Sequence, residues 1–290
     1  MPRASSSLRG WLIPVLALVL WELWSHAGAF PIDTVSRPSD IAMAGARGFM
    51  DGSILLATWQ TVEAALFGLA IAAVLGILFG VILGLSPRLE AVVGPSIDAL
   101  RPVPSVALIP LALLMFGFGL HMEASVVAFA CLWPILLVTI AAVQGVEPRL
   151  LEVARVLQMS FAARMFKVVL PAALARINVG LRIAVSISLI VAVTVEIVLN
   201  PRGLGYSMIG AQQSLRPDLM YAQLLWLGLL GWGLNAALNK AIMTAAFRER
   251  TASAAAELLG PSTQAEADAV AARERARWVP FIRALGVKAD

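Results

Sequence analysis

Six runs along the chain stay apolar long enough to cross a lipid bilayer as helices, approximately Trp11–Phe30, Leu55–Leu85, Ile97–Phe118, Ala124–Val143, Ile177–Leu199 and Tyr221–Phe247. A helix rises about 1.5 Å per residue, so roughly 20 apolar residues cover a hydrocarbon core of about 30 Å. None of the runs alternates apolar and polar positions as a barrel strand does, which leaves the helix as the way to satisfy their backbone groups in lipid. The first run also fits a secretory signal, because Arg3 and Arg9 precede it and Ala27-Gly28-Ala29 follows its core. Its extension to Phe30 and the indoles of Trp11, Trp21 and Trp24 favour a span anchored at the interfaces. The pattern predicts an all-α membrane protein with six transmembrane helices.

The polar intervals orient those helices. With the N-terminus inside, the outer loops carry only Arg37, Arg47, Arg202 and Arg216. The inner segments then hold Arg3, Arg9, Arg88, Arg149, Arg155, Arg164, Lys167, Arg176, Arg248 and Arg250, and the positive-inside rule puts both termini in the cytoplasm. On this division residues 1–10 form a cytoplasmic N-terminus, 11–248 the transmembrane domain and 249–290 a cytoplasmic tail. The tail is Ala-rich over 251–272 and then carries Arg273, Arg275, Arg277, Trp278, Phe281 and Arg283. Such a basic, aromatic segment suits either the anionic inner leaflet or a disordered end.

Composition agrees, with 60% hydrophobic and 14% charged residues, where a soluble domain carries about 25% charged. The net charge of +4 reads as topology-setting Lys and Arg rather than a nucleic-acid surface. One cysteine (Cys131) and two histidines (His26, His121) exclude a disulfide framework and leave too few ligands for a Cys/His zinc site. Neither a metal nor a nucleic-acid partner is expected.

Gly76, Gly80 and Gly84 recur every fourth residue, leaving a smooth stripe on which another helix packs closely. Gly228, Gly231 and Gly233 form a second group beside Asn235.

The longest inner connection, Gln144 to about Arg176, is neither apolar enough to span nor polar enough for a plain linker. Glu147-Pro148 marks a helix start, since Pro suits the first turn and an acid there complements the helix dipole. Leu150, Leu151, Ala154 and Leu157 fall on one face, with Glu152 and Arg155 directed elsewhere. Ser160 is placed to cap a second short helix containing Met165 and Phe166, and Pro171 is expected to interrupt the pattern before the fifth span. Two short amphipathic helices on the cytoplasmic surface are the result.

This segment resembles the signature of the permease family of ATP-binding-cassette importers: Glu-Ala-Ala, three residues, Gly, nine residues, Ile, any residue, Leu-Pro. Here Glu152-Val153-Ala154, then Gln158, then Val168-Val169-Leu170-Pro171 keep that spacing throughout. Val153, Gln158 and Val168 replace the pattern's Ala, Gly and Ile. Of these Gln158 matters most, because Gly adopts a positive φ at a turn at less cost than Gln. Arg101-Pro102-Val103-Pro104, Ile109-Pro110-Leu111, Phe116-Gly117-Phe118-Gly119, Trp21-Glu22, Pro38-Ser39, Glu196 and Gly203-Leu204-Gly205 are similar to the nitrate, sulfonate and taurine branch. The resemblance covers residues 11 to 248.

The resemblance implies a type I importer permease architecture in the bacterial inner membrane, with a cytoplasmic coupling-helix loop over about 144–176. It implies that Glu152 and Ala154, flanked by Val153 and Gln158, sit at the contact with a cytoplasmic ATPase, and that Leu170-Pro171 fixes the helix leading into the membrane. The implied partners are a second copy of the chain, an ATPase dimer and a periplasmic solute-binding protein, besides membrane lipid. No cofactor is expected on this chain, ATP and Mg belonging to the ATPase.

Charged groups in spans cost about 2.5–3.5 kcal/mol on insertion scales, so each needs a reason. Glu196, beside Thr194, is expected to face a central cavity or to pair with a base such as Arg202. Arg101 is expected near the inner end of the third span, facing the pathway or reaching to the interface. Arg101, Thr194 and Glu196 are therefore the candidate transport-path residues. An intramembrane enzyme lacks its motifs here, with no His-Glu-x-x-His and no Gly-x-Ser-x-Gly. No phosphate-binding Gly-x-x-x-x-Gly-Lys-Ser/Thr loop occurs either, so ATP must be hydrolysed by another subunit. The competing class is an ATP-independent secondary transporter, which more often shows internal repeats and broken spans with paired polar groups.

Overall fold

In the computed structural model, residues 4–26 and 35–242 are described, and every regular element among them is helical. Three long helices build the core: α3 (Ser53–Leu85), α6 (Leu120–Gln144) and α9 (Leu170–Val198). Around them lie α1 (Ala4–His26), α2 (Pro38–Met50), α4 (Pro87–Leu100), α5 (Ile109–Phe116), α7 (Pro148–Val156), α8 (Phe161–Arg164), α10 (Gly203–Gln213) and α11 (Pro217–Ile242). The end of the bundle carrying residues 145–170 is here the lower end, and that carrying 200–216 the upper end.

Glycine sets the central contact. A Cβ on Gly68, Gly76, Gly80 or Gly84 of α3 would lie 2.5–2.9 Å from Val127, Ile135, Thr139 or Val143 of α6, respectively. Each pair is offset by the same number of residues and rises along both chains together, so α3 and α6 run parallel. Two consecutive parallel helices require a return crossing, and residues 86–119 supply it. The third helix pair, α6 with α9, is antiparallel: Gly180 meets Val138, and the Cys131 thiol donates to the Ala184 carbonyl at 3.4 Å. Met122, Val126, Ile135, Ala184, Ala192 and Val195 fill the space between them, all under 2% exposed. Outward positions such as Leu66, Val74, Leu78 and Ile190 stay apolar and exposed, as expected where lipid is the solvent.

The return crossing corrects one expectation. The run Ile97–Phe118 is not one straight span: α4 and the Ser105–Phe116 helical stretch meet at 84°. Pro102 and Pro104 donate no backbone N–H and so cannot continue the helix hydrogen bonds, and Pro104 itself is extended at ψ 119°. A 3₁₀ turn, Ser105–Leu108, restarts the helix.

The count of six spans is also modified. Among the described residues, three helices are long and apolar enough to cross a membrane, or four if the bent pair is one crossing. In α1 only Val15–His26 reads as an apolar helix, shorter than a hydrocarbon core requires. α11 is long enough, but Gln223, Asn235, Asn239 and Lys240 dilute it. Residues 243–247 of the expected sixth span, 27–30 of the first, and the tail 249–290 lie outside the described residues. Helix also starts at Ala4, inside the segment expected to be a separate N-terminus.

Candidate functional site

The lower-end connection forms the two helices its pattern predicts. α7 starts at Pro148, and it ends with the Met159 N–H bonded to the Ala154 carbonyl at 3.0 Å across Gln158, whose φ is +50°. That is a Schellman closure with its left-handed residue at the position where the family pattern has Gly. Ser160 Oγ then accepts from the Ala163 N–H at 3.2 Å and caps α8. Because Gln carries the left-handed backbone at a cost that Gly avoids, Gln158→Gly is expected to stabilise the loop by about 1 kcal/mol. A raised thermal midpoint of the purified chain would register this, whereas Gln158→Val should lower it.

Pro171 does not interrupt the helix. A π turn over Met165–Val169, closed by the Leu170 N–H on the Met165 carbonyl, takes up the strain one turn earlier, and α9 runs on unbroken from Leu170. The coupling segment is thus continuous with a core helix. Val169, Ala173 and Ile177 are buried against Val81, Val143 and Val146, so the connection is anchored to the bundle where it enters α9.

The faces of α7 are sorted more sharply than the pattern indicated. Leu151 packs on the core and Ala154 is 1% exposed, while Glu152 is exposed, Val156 is 82% exposed and Leu157 is 67% exposed. Leu150 and Leu157, expected to share the buried face, are both exposed, Leu157 because it lies beyond the last helical residue, Val156, where the chain begins its turn. Ala154 therefore seats the helix on the bundle and Glu152 lies on its free side. The Val153 side chain lies outside the described residues.

Of the transport-path candidates, Thr194 lines a groove of about 580 Å³ between α9 and α11, with Ser186, Leu189, Ile190, Leu227, Gly231 and Asn235. The Asn235 Oδ1 is buried without a hydrogen-bond partner. Arg101 stands at the break of the bent pair, half exposed, with Asp98 4.0 Å away.

Glu196 belongs to a different structure, a polar knot at the upper end. Its Oε2 accepts from the Gly205 N–H at 2.7 Å, while Gln60 and Thr61 of α3 accept from the Gly203 and Leu204 N–H groups at 2.9 Å each. Three orphan donors at the start of α10 are thereby satisfied by side chains of two core helices. The expected pairing with Arg202 is not formed, since that guanidinium binds Glu63 at 2.9 Å. Gly203 sits at φ +84°, and a Cβ there would overlap the Glu196 carboxyl. Gly203→Ala is expected to cost about 2 kcal/mol or more, from backbone strain and overlap together, seen as a lower thermal midpoint.

Sequence reasoning missed Glu123, Asn200 and Thr61, all fully buried in this knot. The expected fourth span began at Ala124, which placed Glu123 just outside the apolar run, although an acid at that boundary is itself the signal.

Comparison with known proteins places these features. The family model described as "binding-protein-dependent transport system inner membrane component" matches residues 57–247. The chain is 28% identical to the putative aliphatic sulfonates transport permease protein SsuC of Bacillus subtilis, over 77% of this chain and 81% of that one. It is 32% identical to the bicarbonate transport system permease protein CmpB of Synechococcus elongatus, over 77% and 85%. An inward-facing structure of the MetNI methionine ABC transporter shares the fold, with TM-score 0.56, 20% identity, and coverage of 63% of this chain and 92% of that chain. The bent span alone fits a secondary carrier as well, but the family match does not. The chain belongs to the binding-protein-dependent transport system inner membrane components, the permease subunits of ATP-binding-cassette importers, and so is a transport component whose ATPase is a separate subunit.

Proposed function

We propose that two copies of this chain enclose a pathway for a small anionic solute in the bacterial inner membrane, both termini cytoplasmic. A cytoplasmic ATPase dimer docks at the lower end, and a periplasmic solute-binding protein delivers at the upper end. The observation that carries the reading is α7 itself. Leu151 and Ala154 hold it to the bundle, Glu152, Val156 and Leu157 face away from it, and Leu170-Pro171 joins the segment to α9 without a break. An exposed apolar pair beside an acid, on a helix fixed from behind, has the composition of an interface anchor.

ATP-driven closure of the partner would move α7 and α8 together and turn α9, whose Thr194 face lines the groove against α11. The cavity would then open toward the binding protein. The groove is mostly apolar with three polar rungs, Ser186, Thr194 and Asn235, which suits passage rather than tight binding. Arg101 at the bent span adds a positive charge, and Glu196 acts from within the wall by holding α10. Aliphatic sulfonates, taurine, bicarbonate and nitrate, for which relatives of this chain are named, all bear an anionic head that a guanidinium attracts.

The test is transport by the reconstituted complex with Arg101→Gln. Transport of an anionic solute should fall severalfold while ATP hydrolysis persists, and unchanged transport would remove Arg101 from the pathway.

A further inference from the structure

Arg182 stands deep in the bundle. On α9 it lies between Gly180, which packs on Val138 of α6, and Ala184, whose carbonyl accepts from the Cys131 thiol. It is therefore level with Ile135, which Gly76 of α3 also meets. Ile135 is nine residues above Gln144, the last of α6, and Gly76 nine above Leu85, the last of α3, which is about 13 Å in each case. That depth is near the middle of a hydrocarbon core of about 30 Å, where a charge needs a reason. A guanidinium facing lipid would reach for an interface. The Nε of Arg182 is instead buried in protein with no hydrogen-bond partner.

Position 182 continues the face of α9 that lines the groove, because Ser186 and Leu189 of that lining lie four and seven residues further on. Asn178, one turn below Arg182 on the same face, also has its Nδ2 buried without a partner. Across the groove a Cβ on Gly231 of α11 would lie 3.3 Å from Leu189, which puts Asn235, with its unpartnered Oδ1, about one turn above Arg182. The lower end of the groove thus carries two unsatisfied donors on adjacent turns of one helix.

Among the described residues, no acid of the surrounding helices stands at this depth. Glu63 of α3 and Glu123 of α6 lie thirteen and twelve residues above Gly76 and Ile135, about 18 Å or more. Glu196 of α9 and Asp218 of α11 are likewise toward the upper end. Glu90 accepts from Gln144 Nε2 at 2.6 Å at the lower end of α6, and Asp98 stands beside Arg101. A second copy, turned about an axis along the membrane normal, would repeat the same depths and supply no acid either. We infer that Arg182 and Asn178 form a mid-membrane station for the anionic head of the solute, Arg182 Nε and Asn178 Nδ2 donating to its oxygens. This rests on the anionic pathway proposed above, and it adds the place inside the membrane where the charge is met. An unpaired guanidinium is costly while the station is empty and is relieved as an oxyanion passes.

The thermal midpoint of the full chain in a maltoside detergent tests this, with methanesulfonate as the probe. In the wild type, methanesulfonate should raise the midpoint by several degrees beyond an equal concentration of sodium chloride, and dimethyl sulfone, its uncharged counterpart, should not. Arg182→Met keeps the apolar stem and drops the charge, so it should abolish that rise while leaving the midpoint without methanesulfonate equal to the wild type's or above it. Asn178→Leu should increase the half-saturating concentration severalfold. An arginine that only packs or pairs within the protein would give a lower midpoint in Arg182→Met, and that result overturns the inference. So do an absent rise in the wild type, a rise that survives in Arg182→Met, and a rise given by phosphatidylglycerol but not by methanesulfonate, which marks a lipid headgroup. Arg101→Gln in the same titration separates the two readings, because a rise lost there and kept in Arg182→Met overturns the station and leaves the anionic pathway standing.

Discussion

Glu152→Arg and Leu157→Asp, introduced separately, are each expected to abolish solute-stimulated ATP hydrolysis by the assembled importer while the chain still inserts and folds. Glu152 on α7 and Leu157 just past its end are both exposed, so neither change disturbs the bundle. At an interface, losing a central anchor costs about 2 kcal/mol or more, roughly thirtyfold in affinity. Reconstitution in nanodiscs with the partner ATPase and binding protein reads both quantities. Stimulation that stays normal in both variants would place the contact elsewhere. Ala154→Phe should behave differently, because that position is buried against the bundle. It would push α7 off its seat and lower the thermal midpoint as well as the coupling.

The second large effect is expected at the α3–α6 contact. In Gly80→Leu the new Cβ would lie 2.5 Å from the Thr139 Cβ and 3.0 Å from the Leu136 carbonyl oxygen, neither of which can swing aside. Overpacking of a fixed contact costs about 3 kcal/mol or more, and here it separates two parallel helices along their whole length. Gly76 and Gly84 flank it in the same register, so relief by sliding is blocked. The expected readout is loss of folded chain, measured as the monodisperse fraction after detergent extraction. The control is Gly94→Leu, because a Cβ at Gly94 meets nothing within 4 Å.

What the sequence showed follows from the physics of each signal. Helices α3, α6 and α9 were legible because long apolar runs have one backbone solution in lipid. The two short helices of the 148–164 connection were legible because Pro148 and Ser160 each fix a local geometry, and even the positive φ at Gln158 could be anticipated from the Gly it replaces. The bend at Arg101–Pro104 was hidden, since hydropathy ignores the missing Pro donors in an otherwise apolar run. The parallel register of α3 and α6 was hidden as well, because the Gly stripe names one partner and not the other. The polar knot was hidden most deeply. Glu123, Thr61 and Asn200 lie 139 residues apart at the extremes of the chain segment involved (Thr61 to Asn200), and only folding brings them to Glu196.

Cross-linking tests the central claim most directly, that a partner's motion enters through the exposed side of α7. Cys131 is the only cysteine, and it is buried, so Leu157→Cys in a Cys131→Ala background carries one reactive thiol. With a thiol-to-amine cross-linker, position 157 is expected to join the ATPase subunit in the assembled importer, and Tyr206→Cys at the opposite end is expected not to. Linkage of the ATPase to position 206 but not 157, or solute movement at full rate by the purified chain without any ATPase, would contradict the account.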